Sequence, residues 1–521
     1  MRVILSYPMV TIEDAPKWLD SIGRYKLKIR KEAEEIRKEK ERRKAYGKSV
    51  KINPFRFEEK SVMERDPDDP TKLYFFPGLW PRVKEQLEMH SVQYEIIDKR
   101  DPAKKPQMDL NAVSSMSFRP GQDQALALIA TADCGIIEAS VGWGKSVLIS
   151  MICRAFPTLK ILVCTDSTQV VQTLYGYLLQ QIPGEVGLLM GGKDTTKGKR
   201  VIVSTMKSVN KIPPEEPDLV CCDECHCCGD NQAGHDMARF CFARRFGFSA
   251  TPYRNDGSKL VMEALFGPTM LKVDYDTAVD AGMVTPMKYV MLPCNWCPEF
   301  LHKVETPSDV LLKRYSYWSN KARNNAIKAL LYEIKERADV QILIMVATLQ
   351  HCIELHLLMP WLVVAYYGNA DMDDLRKKFP KAKYPNLDLN KYKMSQKQLD
   401  ITRNAFAKGT LKWVVSTFVF RQGVNFPHLR VLVRADGTTS AIAGIQIPGR
   451  LSRLDEGKDC AYLIDFNDTF TEWAARRSQA RSKLYQEQGW KEITKEELLH
   501  DLGTKSGEQL DDASGAPTAT A

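Results

Sequence analysis

The fold is decided by the stretch Cys134-Gly-Ile-Ile-Glu-Ala-Ser-Val-Gly-Trp-Gly-Lys-Ser146. Its first part is an apolar strand, its middle is a loop containing glycines, and residues 146–156 have the composition of a buried helix. Glycine permits the backbone angles that turn successive amides inward, and the start of a helix is electropositive. Strand, glycine loop and helix in this order predict a phosphate site, held by the backbone around Gly142 and Gly144.

Two side chains at the end of this loop complete the predicted nucleotide site. Lys145 is placed to contact the outer phosphates, and the hydroxyl of Ser146 is placed to ligate Mg²⁺. The fuller pattern Gly-x4-Gly-Lys-Ser is not met, because Ala139 replaces the first glycine, and the bulky Trp143 stands between two glycines. We expect ATP and Mg²⁺ as the cofactors of this loop.

A pair of acidic residues supplies the remaining chemistry. Asp223 and Glu224 follow the apolar strand Leu219-Val-Cys-Cys222, at the carboxyl edge where α/β sheets bind their ligands. Asp223 can hold the magnesium ion through water, and Glu224 is placed to act as general base on the attacking water. Adjacent acids after a strand are often only the start of a loop, but the phosphate loop upstream favours the catalytic interpretation.

The chain is expected to be an α/β protein with several domains. Apolar strands alternate with helical segments from about residue 111 onward, which predicts two tandem parallel sheets flanked by helices. The four predicted parts are a small α/β accessory domain, expected to bind DNA, a first ATP-binding domain, a second domain, and a C-terminal helix with a disordered tail, at 1–110, 111–285, 286–480 and 481–521. The predicted strands are 134–138, 160–165, 200–205, 218–222 and 245–249 in the first domain, and 340–346, 362–367, 412–416, 430–433 and 461–464 in the second.

The accessory domain contains a stretch of charged residues. Residues 24–48 are dense in Lys, Arg and Glu, and we predict an exposed helix there. Two interpretations stay open: a solvated helix face, or a basic arm along a phosphate backbone, which the surplus of positive charge supports.

Composition excludes some classes of protein and permits others. The net charge of +9 permits a polyanionic partner without requiring one. The longest apolar runs are far shorter than the roughly 20 residues needed to cross a bilayer, so no membrane partner is expected. The 13 cysteines are an odd number, and no signal peptide follows Met1, so we expect free thiols in the cytoplasm and no secretion.

Several cysteines cluster around the acidic pair, at positions 221, 222, 225, 227 and 228. Cys221 and Cys222 belong to a strand whose alternate residues face opposite sides, and no second ligand pair at zinc-finger spacing follows. Cys294-Asn-Trp-Cys297 is a lone CxxC. The sequence therefore predicts no zinc site.

Four motifs resemble those of a known family, and they follow one another along the chain in that family's order. Asp223-Glu224-Cys225-His226 resembles motif II of the superfamily 2 helicases in its DExH form, and the glycine loop resembles their motif I. Ser249-Ala250-Thr251-Pro252 resembles motif III, and Gln446-x2-Gly449-Arg450-x2-Arg453 resembles motif VI. The segment Phe76-Pro-Gly-Leu-Trp-Pro-Arg82 is most similar to the branch of phage UvsW-type recombination helicases and XPB-like DNA translocases.

The resemblance implies roles for further residues. ATP would lie between two RecA-like domains, with Gln122 on adenine and Arg119 supporting it. Arginine fingers would come from the second domain and raise the rate about 10³- to 10⁵-fold. By this resemblance Arg450 and Arg453 would be the fingers, Gln446 would sense the γ-phosphate or its water, and Gly423 in motif V would join the nucleotide site. His226, Ser249 and Thr251 would couple hydrolysis to movement, and Thr165, Thr205 and Thr417 would contact nucleic-acid phosphates.

Three functions are compatible with these residues. We favour an ATP-dependent DNA helicase or translocase that remodels branched or duplex DNA in replication, recombination or repair. The alternatives are an RNA helicase with the same motor, and the motor subunit of a restriction or other assembly or a scaffold with little ATPase. The sequence leaves the oligomeric state open and is compatible with a monomer.

Overall fold

The computed structural model divides into two compact units, Met1–Ala281 and Gly282–Ala521. It describes residues 1–32, 34–36, 38–39, 41, 55–100, 106–250, 256–296, 298, 309–366, 372–417, 426–439, 444–445 and 448–503.

The first unit begins with a small mixed sheet. Its order is β5-β6-β2-β1-β7, antiparallel except for the β1–β7 pair. One helix, α1, covers it with Val83 and Leu87. The elements are β1 Arg2–Leu5, β2 Val10–Glu13, β5 Met63–Arg65, β6 Leu73–Phe75, α1 Trp80–Met89 and β7 Glu95–Asp98.

The charged stretch at 24–48 begins as a strand, so the predicted helix is wrong over its first residues. β3, Arg24–Arg30, pairs antiparallel with β4, Phe55–Ser61, in a two-stranded ribbon. Tyr25, Leu27 and Ile29 recur at every second residue, which places them on one face of a strand. This period outweighs the high charge content; residues 42–50 lie outside the described part of the chain.

The small sheet shares its core with the domain that follows. Leu79 and Val83 pack in one cluster with Ala264, and Arg82 forms a bidentate ion pair with Glu263, both contacts at 2.7 Å. Glu263 and Ala264 belong to the helix Lys259–Phe266. Gly78 lies so close to this helix that a Cβ on Gly78 would stand 2.3 Å from the Glu263 carbonyl oxygen. The Phe-Pro-Gly-Leu-Trp segment is therefore a packing element between the two layers.

The central sheet of the first unit has eight strands in the order β11-β10-β12-β9-β13-β14-β8-β15. All pairs are parallel except β10–β11. Its strands are β8 Cys134–Ala139, β9 Ile161–Thr165, β10 Val186–Met190, β11 Lys193–Asp194, β12 Val201–Thr205, β13 Leu219–Asp223, β14 Arg244–Ser249 and β15 Thr269–Val273. Every residue of β9, β12 and β13 is buried, as expected for a sheet covered on both faces.

Helices connect these strands. Ser167 caps the helix that follows β9 by accepting a hydrogen bond from the Val170 amide. The helices are α2 Gln122–Thr131, α3 Lys145–Ala155, α4 Thr168–Gln181, α5 Gln232–Ala238, α6 Lys259–Phe266 and α7 Tyr275–Asp280.

The second unit contains a seven-stranded sheet in which every pair is parallel, in the order β18-β19-β17-β20-β21-β16-β22. Its strands are β16 Met287–Cys294, β17 Gln341–Met345, β18 Val363–Ala365, β19 Trp413–Ser416, β20 Leu429–Arg434, β21 Ala461–Asp468 and β22 Lys491–Glu492. Its helices are α8 Asp309–Lys313, α9 Lys321–Arg337, α10 Leu349–Leu358, α11 Met372–Lys378, α12 Gln396–Ala407, α13 Glu472–Glu487 and α14 Lys495–Gly503.

The segment after residue 480 differs from the prediction in one respect. α13 runs through position 480, and β22 and α14 add to the sheet and core of the second unit through Leu498, Leu499 and Leu502. The residues before 504 are therefore part of the packed domain. The predicted disordered tail lies beyond the described residues.

The predicted fold class is confirmed: two tandem RecA-like domains with parallel sheets flanked by helices, preceded by a small α/β layer. The predicted strands of both domains appear with boundaries shifted by a few residues. Among the described helices, none combines the length and the apolar character that a membrane crossing requires.

Candidate nucleotide and nucleic-acid site

The predicted phosphate loop adopts the backbone conformation that the sequence requires. Gly142 and Gly144 have φ angles of 96° and 104°, in the left-handed region that favours glycine, and α3 begins directly afterwards at Lys145. A Cβ at Gly144 would stand 2.8 Å from the Nε2 atom of Gln122. The loop therefore needs glycine here both for its backbone angle and for the close approach of Gln122.

Trp143 has a role that the sequence analysis did not assign. Its side chain is fully buried, and its indole Nε1–H donates to the Pro120 carbonyl oxygen at 3.0 Å. The ring thus joins the phosphate loop to the segment before α2. A bulky aromatic residue between two loop glycines was the signal available for this role.

Gln122 and Arg119 support the same loop. Gln122 is fully buried; its Oε1 accepts from the Arg119 amide at 3.0 Å, and its Nε2 donates to the Gly144 carbonyl oxygen at 3.2 Å. The Arg119 guanidinium donates to the Gly142 carbonyl oxygen at 2.5 Å. Both side chains thus hold the loop backbone, and the predicted contact of Gln122 with adenine stays a prediction.

Lys145 lies over the loop entrance. Its Nζ donates to the carbonyl oxygens of Ala139 and Ser140 at 3.0 and 3.3 Å. Its positive charge also acts on the buried Asp223 carboxylate at the end of β13. The fold therefore brings together the Lys of motif I and the first acid of motif II, which are 78 positions apart in the sequence.

Asp223 is suited to hold a cation. Its burial and the nearby charge of Glu224 raise its pKa to about 7, and Lys145 opposes this shift. A divalent cation would offset the cost of the buried negative charge. Mg²⁺ prefers oxygen ligands, and Asp223 with the hydroxyl of Ser146, on the first turn of α3, fits that preference.

Glu224 has an unusual backbone for its residue type. Its φ angle of 56° is in the left-handed region, and its amide donates to the Oδ1 of Asp223 at 3.1 Å. A non-glycine residue in this region costs about 1–3 kcal/mol and is concentrated at functional sites. The strain turns the chain sharply after β13 and sets the predicted general base beside the predicted magnesium ligand.

His226 links motif II to motif III. Its Nδ1 lies 3.0 Å from the Ser249 hydroxyl and 3.3 Å from the Oε2 of Glu224. His226 and Ser249 are buried, and Ser249 ends β14, the strand next to β13. The structure thus joins two of the three predicted coupling residues; the third, Thr251, lies outside the described residues.

The predicted nucleic-acid residues of the first unit are neighbours. Thr165 and Thr205 pair across β9 and β12 at the carboxyl ends of both strands. Their exposures are 1% and 4%, and the Thr205 hydroxyl donates to Ser208 at 3.0 Å. Both hydroxyls are buried, whereas Lys207, two residues after Thr205, is exposed. Lys207 is therefore a candidate for a phosphate contact that the sequence motifs did not indicate.

The predicted residues of the second unit are described less completely. Thr417 follows β19 and is buried. Arg450 ends the short helix Pro448–Arg450, while Gln446 and Gly423 lie outside the described residues. The carbonyl oxygen of Arg453 accepts from Thr285 at 3.1 Å and from Lys458 at 3.0 Å, which holds its backbone. Burial lowers the pKa of the Arg453 guanidinium. The finger roles stay predictions.

Two protein-family models match the chain in tandem. Residues 115–254 match the model described as "Type III restriction enzyme, res subunit", and residues 324–455 match the "Helicase conserved C-terminal domain". The first match contains the phosphate loop and motif II, and the second contains Thr417 and Arg453.

Two curated relatives are named as helicases. A protein of Sulfolobus islandicus filamentous virus is 24% identical over 360 residues, which is 64% of this chain and 60% of the relative. The D10 protein of Escherichia phage T5 is 19% identical over 420 residues, which is 78% of this chain and 83% of the relative. The chain thus spans less than two thirds of the length of the first of these relatives.

Dbp5, a solved structure, shares the fold of this chain. S. cerevisiae Dbp5 bound to RNA is 16% identical, with a TM-score of 0.51, and the match covers 78% of this chain and 98% of Dbp5. UvsW of phage T4 is 16% identical, with a TM-score of 0.39, over 95% of this chain and 99% of UvsW. The placement in the UvsW branch stays a prediction.

Domain models, relatives and fold agree with the contacts of the site itself, where Lys145, Asp223, Glu224 and His226 meet at one edge of a parallel sheet. The chain therefore belongs to the superfamily 2 helicases, which are built from these two domains in tandem.

Proposed function

We propose that the chain is an ATP-driven DNA helicase or translocase that remodels branched or duplex DNA in replication, recombination or repair. The observation that carries the motor assignment is the bridge from Glu224 through His226 to Ser249. It connects the predicted general base to the end of a neighbouring strand. A change at the reacting phosphate can therefore move residues away from the nucleotide.

ATP hydrolysis in this proposal uses groups of the first unit. Glu224 accepts a proton from the attacking water, and Lys145 neutralises charge on the outer phosphates. Mg²⁺, held by Ser146 and Asp223, supplies further neutralisation of the phosphate charge when it is bound. We assign Arg450 and Arg453 as fingers from the second unit.

The proposed preference for DNA has two supports. The family model matched by the first domain is that of a restriction enzyme subunit, and restriction acts on DNA. The β3–β4 ribbon also exposes Arg24, Lys26 and Lys28 along one strand, with Phe57 facing Lys28 on the other. Basic side chains interleaved with an exposed aromatic ring suit a nucleic-acid backbone with unstacked bases.

The ribbon is anchored to the first helicase domain. Tyr25 donates to Asp230 at 2.9 Å, Lys60 pairs with the same carboxylate at 2.7 Å, and the Lys28 amide donates to the Asp256 carbonyl oxygen at 2.8 Å. DNA held by the ribbon would therefore be held by the motor domain as well.

A ranking of ATPase stimulation tests the choice of nucleic acid. The full chain is assayed with single-stranded DNA, duplex DNA, forked DNA and RNA at equal nucleotide concentration. The proposal expects forked or duplex DNA to stimulate most. Greater stimulation by RNA would replace the proposal with the RNA helicase alternative.

The role of the ribbon is tested by removing its charges. Arg24→Ala with Lys28→Ala should weaken DNA binding and reduce the slope of log affinity against log salt by about 0.9 per lost phosphate contact. The matched control is Lys483→Ala with Lys491→Ala, two exposed lysines of the second unit. An equal effect of both pairs would return the ribbon to a structural role.

The restriction-enzyme match also favours a second candidate, the motor subunit of a nucleic-acid-processing assembly. In that case another chain would supply cutting. Strand displacement by the purified chain alone, at a rate that a partner fraction does not raise, would exclude this candidate.

The proposed motor needs ATP, Mg²⁺ and nucleic acid, and it can act as a monomer in the cytoplasm.

A further inference from the structure

Three cysteine thiols converge directly behind the motif II turn. Cys222 is the fourth residue of β13, and Cys227 and Cys228 end the short helical turn that follows. The turn is closed by bonds from the Cys227 amide to Glu224 and from the Cys228 amide to Cys225, at 3.0 and 2.9 Å. It reverses the chain, so that residues five and six positions apart in sequence bring their sulfur atoms together.

The distances between these sulfur atoms match a metal site. The Sγ of Cys228 lies 3.8 Å from that of Cys222 and 3.7 Å from that of Cys227, and all three sulfurs lie within 4.8 Å of one another. In a tetrahedral site with Zn–S bonds of about 2.3 Å, sulfur atoms lie about 3.8 Å apart. A disulfide needs about 2.05 Å, and all the described cysteines are free thiols.

A fourth thiol is close to this group. Cys164 is the register partner of Cys222 on the adjacent strand β9, and both residues belong to one buried cluster. Residues paired across parallel strands present their side chains to the same face of the sheet. Cys164 is therefore placed on the side of the sheet where Cys227 and Cys228 approach.

From this geometry we propose that Cys222, Cys227 and Cys228 form a binding site for a thiophilic divalent cation, Zn²⁺. Cys164 lies outside the group of sulfurs within 4.8 Å of one another, and it would supply the fourth ligand after a change of its side-chain rotamer. Each thiol releases its proton to solvent when it binds, and the cation offsets two of the resulting negative charges. The sequence predicts no zinc site, because it contains no two ligand pairs at zinc-finger spacing. In the structure the ligands are instead one cysteine of strand β13, Cys222, and two adjacent cysteines of the turn that follows, Cys227 and Cys228.

The position of the site gives the cation a structural effect on the motor. Cys222 and Cys227 bracket Asp223, Glu224, Cys225 and His226, so a metal bound to both would fix the two ends of motif II. It would hold the left-handed turn at Glu224 in place. The competing explanation is that the thiols are small apolar side chains in the cluster with Met206, Val209 and Phe240.

Zinc content separates the two explanations. The full chain, purified without a histidine tag from zinc-supplemented medium, should hold about one zinc ion per chain by native mass spectrometry. Cys227→Ser and Cys228→Ser should each lower Zn²⁺ affinity by at least about 100-fold. Cys221→Ser is the matched control, because Cys221 is equally buried on the same strand but faces the other side.

The proposal is overturned if the wild-type chain retains no zinc, or if Cys227→Ser and Cys228→Ser retain as much zinc as the control. A second measurement covers variants that fail to fold. Titration of the wild-type chain with Cd²⁺ gives sulfur-to-metal charge-transfer absorption that counts the bound thiolates. A count of four supports the full site, a count of three supports it without Cys164, and a lower count overturns it.

Discussion

At the scale of single residues, Lys145 connects the phosphate loop to the acid pair. Its ammonium bonds two loop carbonyls and acts on the charge of Asp223. Lys145→Ala should reduce ATP turnover by at least about 100-fold, as expected when one charge-stabilising donor is lost. DNA retention should stay measurable. Lys193→Ala, an exposed lysine of the same unit, serves as the control, and undiminished turnover in Lys145→Ala would contradict the assignment of the loop.

Ser249 is the residue at which hydrolysis and movement can be separated. Ser249→Ala removes the hydrogen bond between Ser249 and His226, which is worth about 1 kcal/mol, and leaves the contact of His226 with Glu224 in place. We expect DNA unwound per ATP to fall about fivefold while ATP turnover changes less. The control is Ser150→Ala, another fully buried serine of the same unit, on α3. Turnover and unwinding that fall in proportion would argue against a coupling role.

At the scale of elements, α10 carries a buried histidine that makes the second unit sensitive to acid. Burial and the charge of Arg323 lower the pKa of His351 from 6.5 to about 3, and its Nε2 lies 2.9 Å from the Oδ1 of Asn324. Between about pH 6.5 and pH 3, His351 is protonated in the unfolded chain but stays neutral in the folded chain. Unfolding therefore becomes easier as pH falls toward 3, by about 1.4 kcal/mol per pH unit.

The measurement is hydrogen exchange of peptides from β17 and α10 between pH 7 and pH 5. The free energy of opening should fall by about 2 kcal/mol more in the wild-type chain than in His351→Gln, which keeps a polar side chain but does not titrate. The same pH dependence in both chains would contradict this origin of acid sensitivity.

At the scale of the whole first unit, the accessory layer and the ATP-binding domain stabilise each other. Arg82→Ala leaves the largely buried Glu263 without its bidentate partner, and the free energy of unfolding of this unit should fall by about 1–3 kcal/mol. Arg2→Ala, which breaks the more exposed pair with Glu13, should cost less than about 1 kcal/mol. Scanning calorimetry of the full chain compares the two, and equal losses would contradict a shared core.

This shared core also changes how the accessory domain can be tested. Removing residues 1–110 would expose Ala264 and Glu263 as well as removing the ribbon. A loss of activity in such a deletion would report damage to the motor domain. Substitutions on the exposed ribbon are therefore the sharper experiment.

The phosphate loop, the acid pair, the order of the helicase motifs and ten of the fifteen described strands of the two central sheets could be predicted from the sequence. The five strands that were not predicted are β10, β11, β15, β16 and β22. These features are local: a strand buried on both faces is an apolar run, and a phosphate loop needs glycine at particular backbone angles. Other features became visible only in the folded chain. They are the bond of Trp143 to Pro120, the bonds of Gln122 to the loop backbone, the β3–β4 ribbon, the core shared with α6 and the convergence of thiols behind Glu224. Each of these depends on contacts that the fold creates between separate segments or by reversing the chain. The alternation in β3 and the aromatic residue in the phosphate loop are local signals, but neither identifies the segment that it contacts.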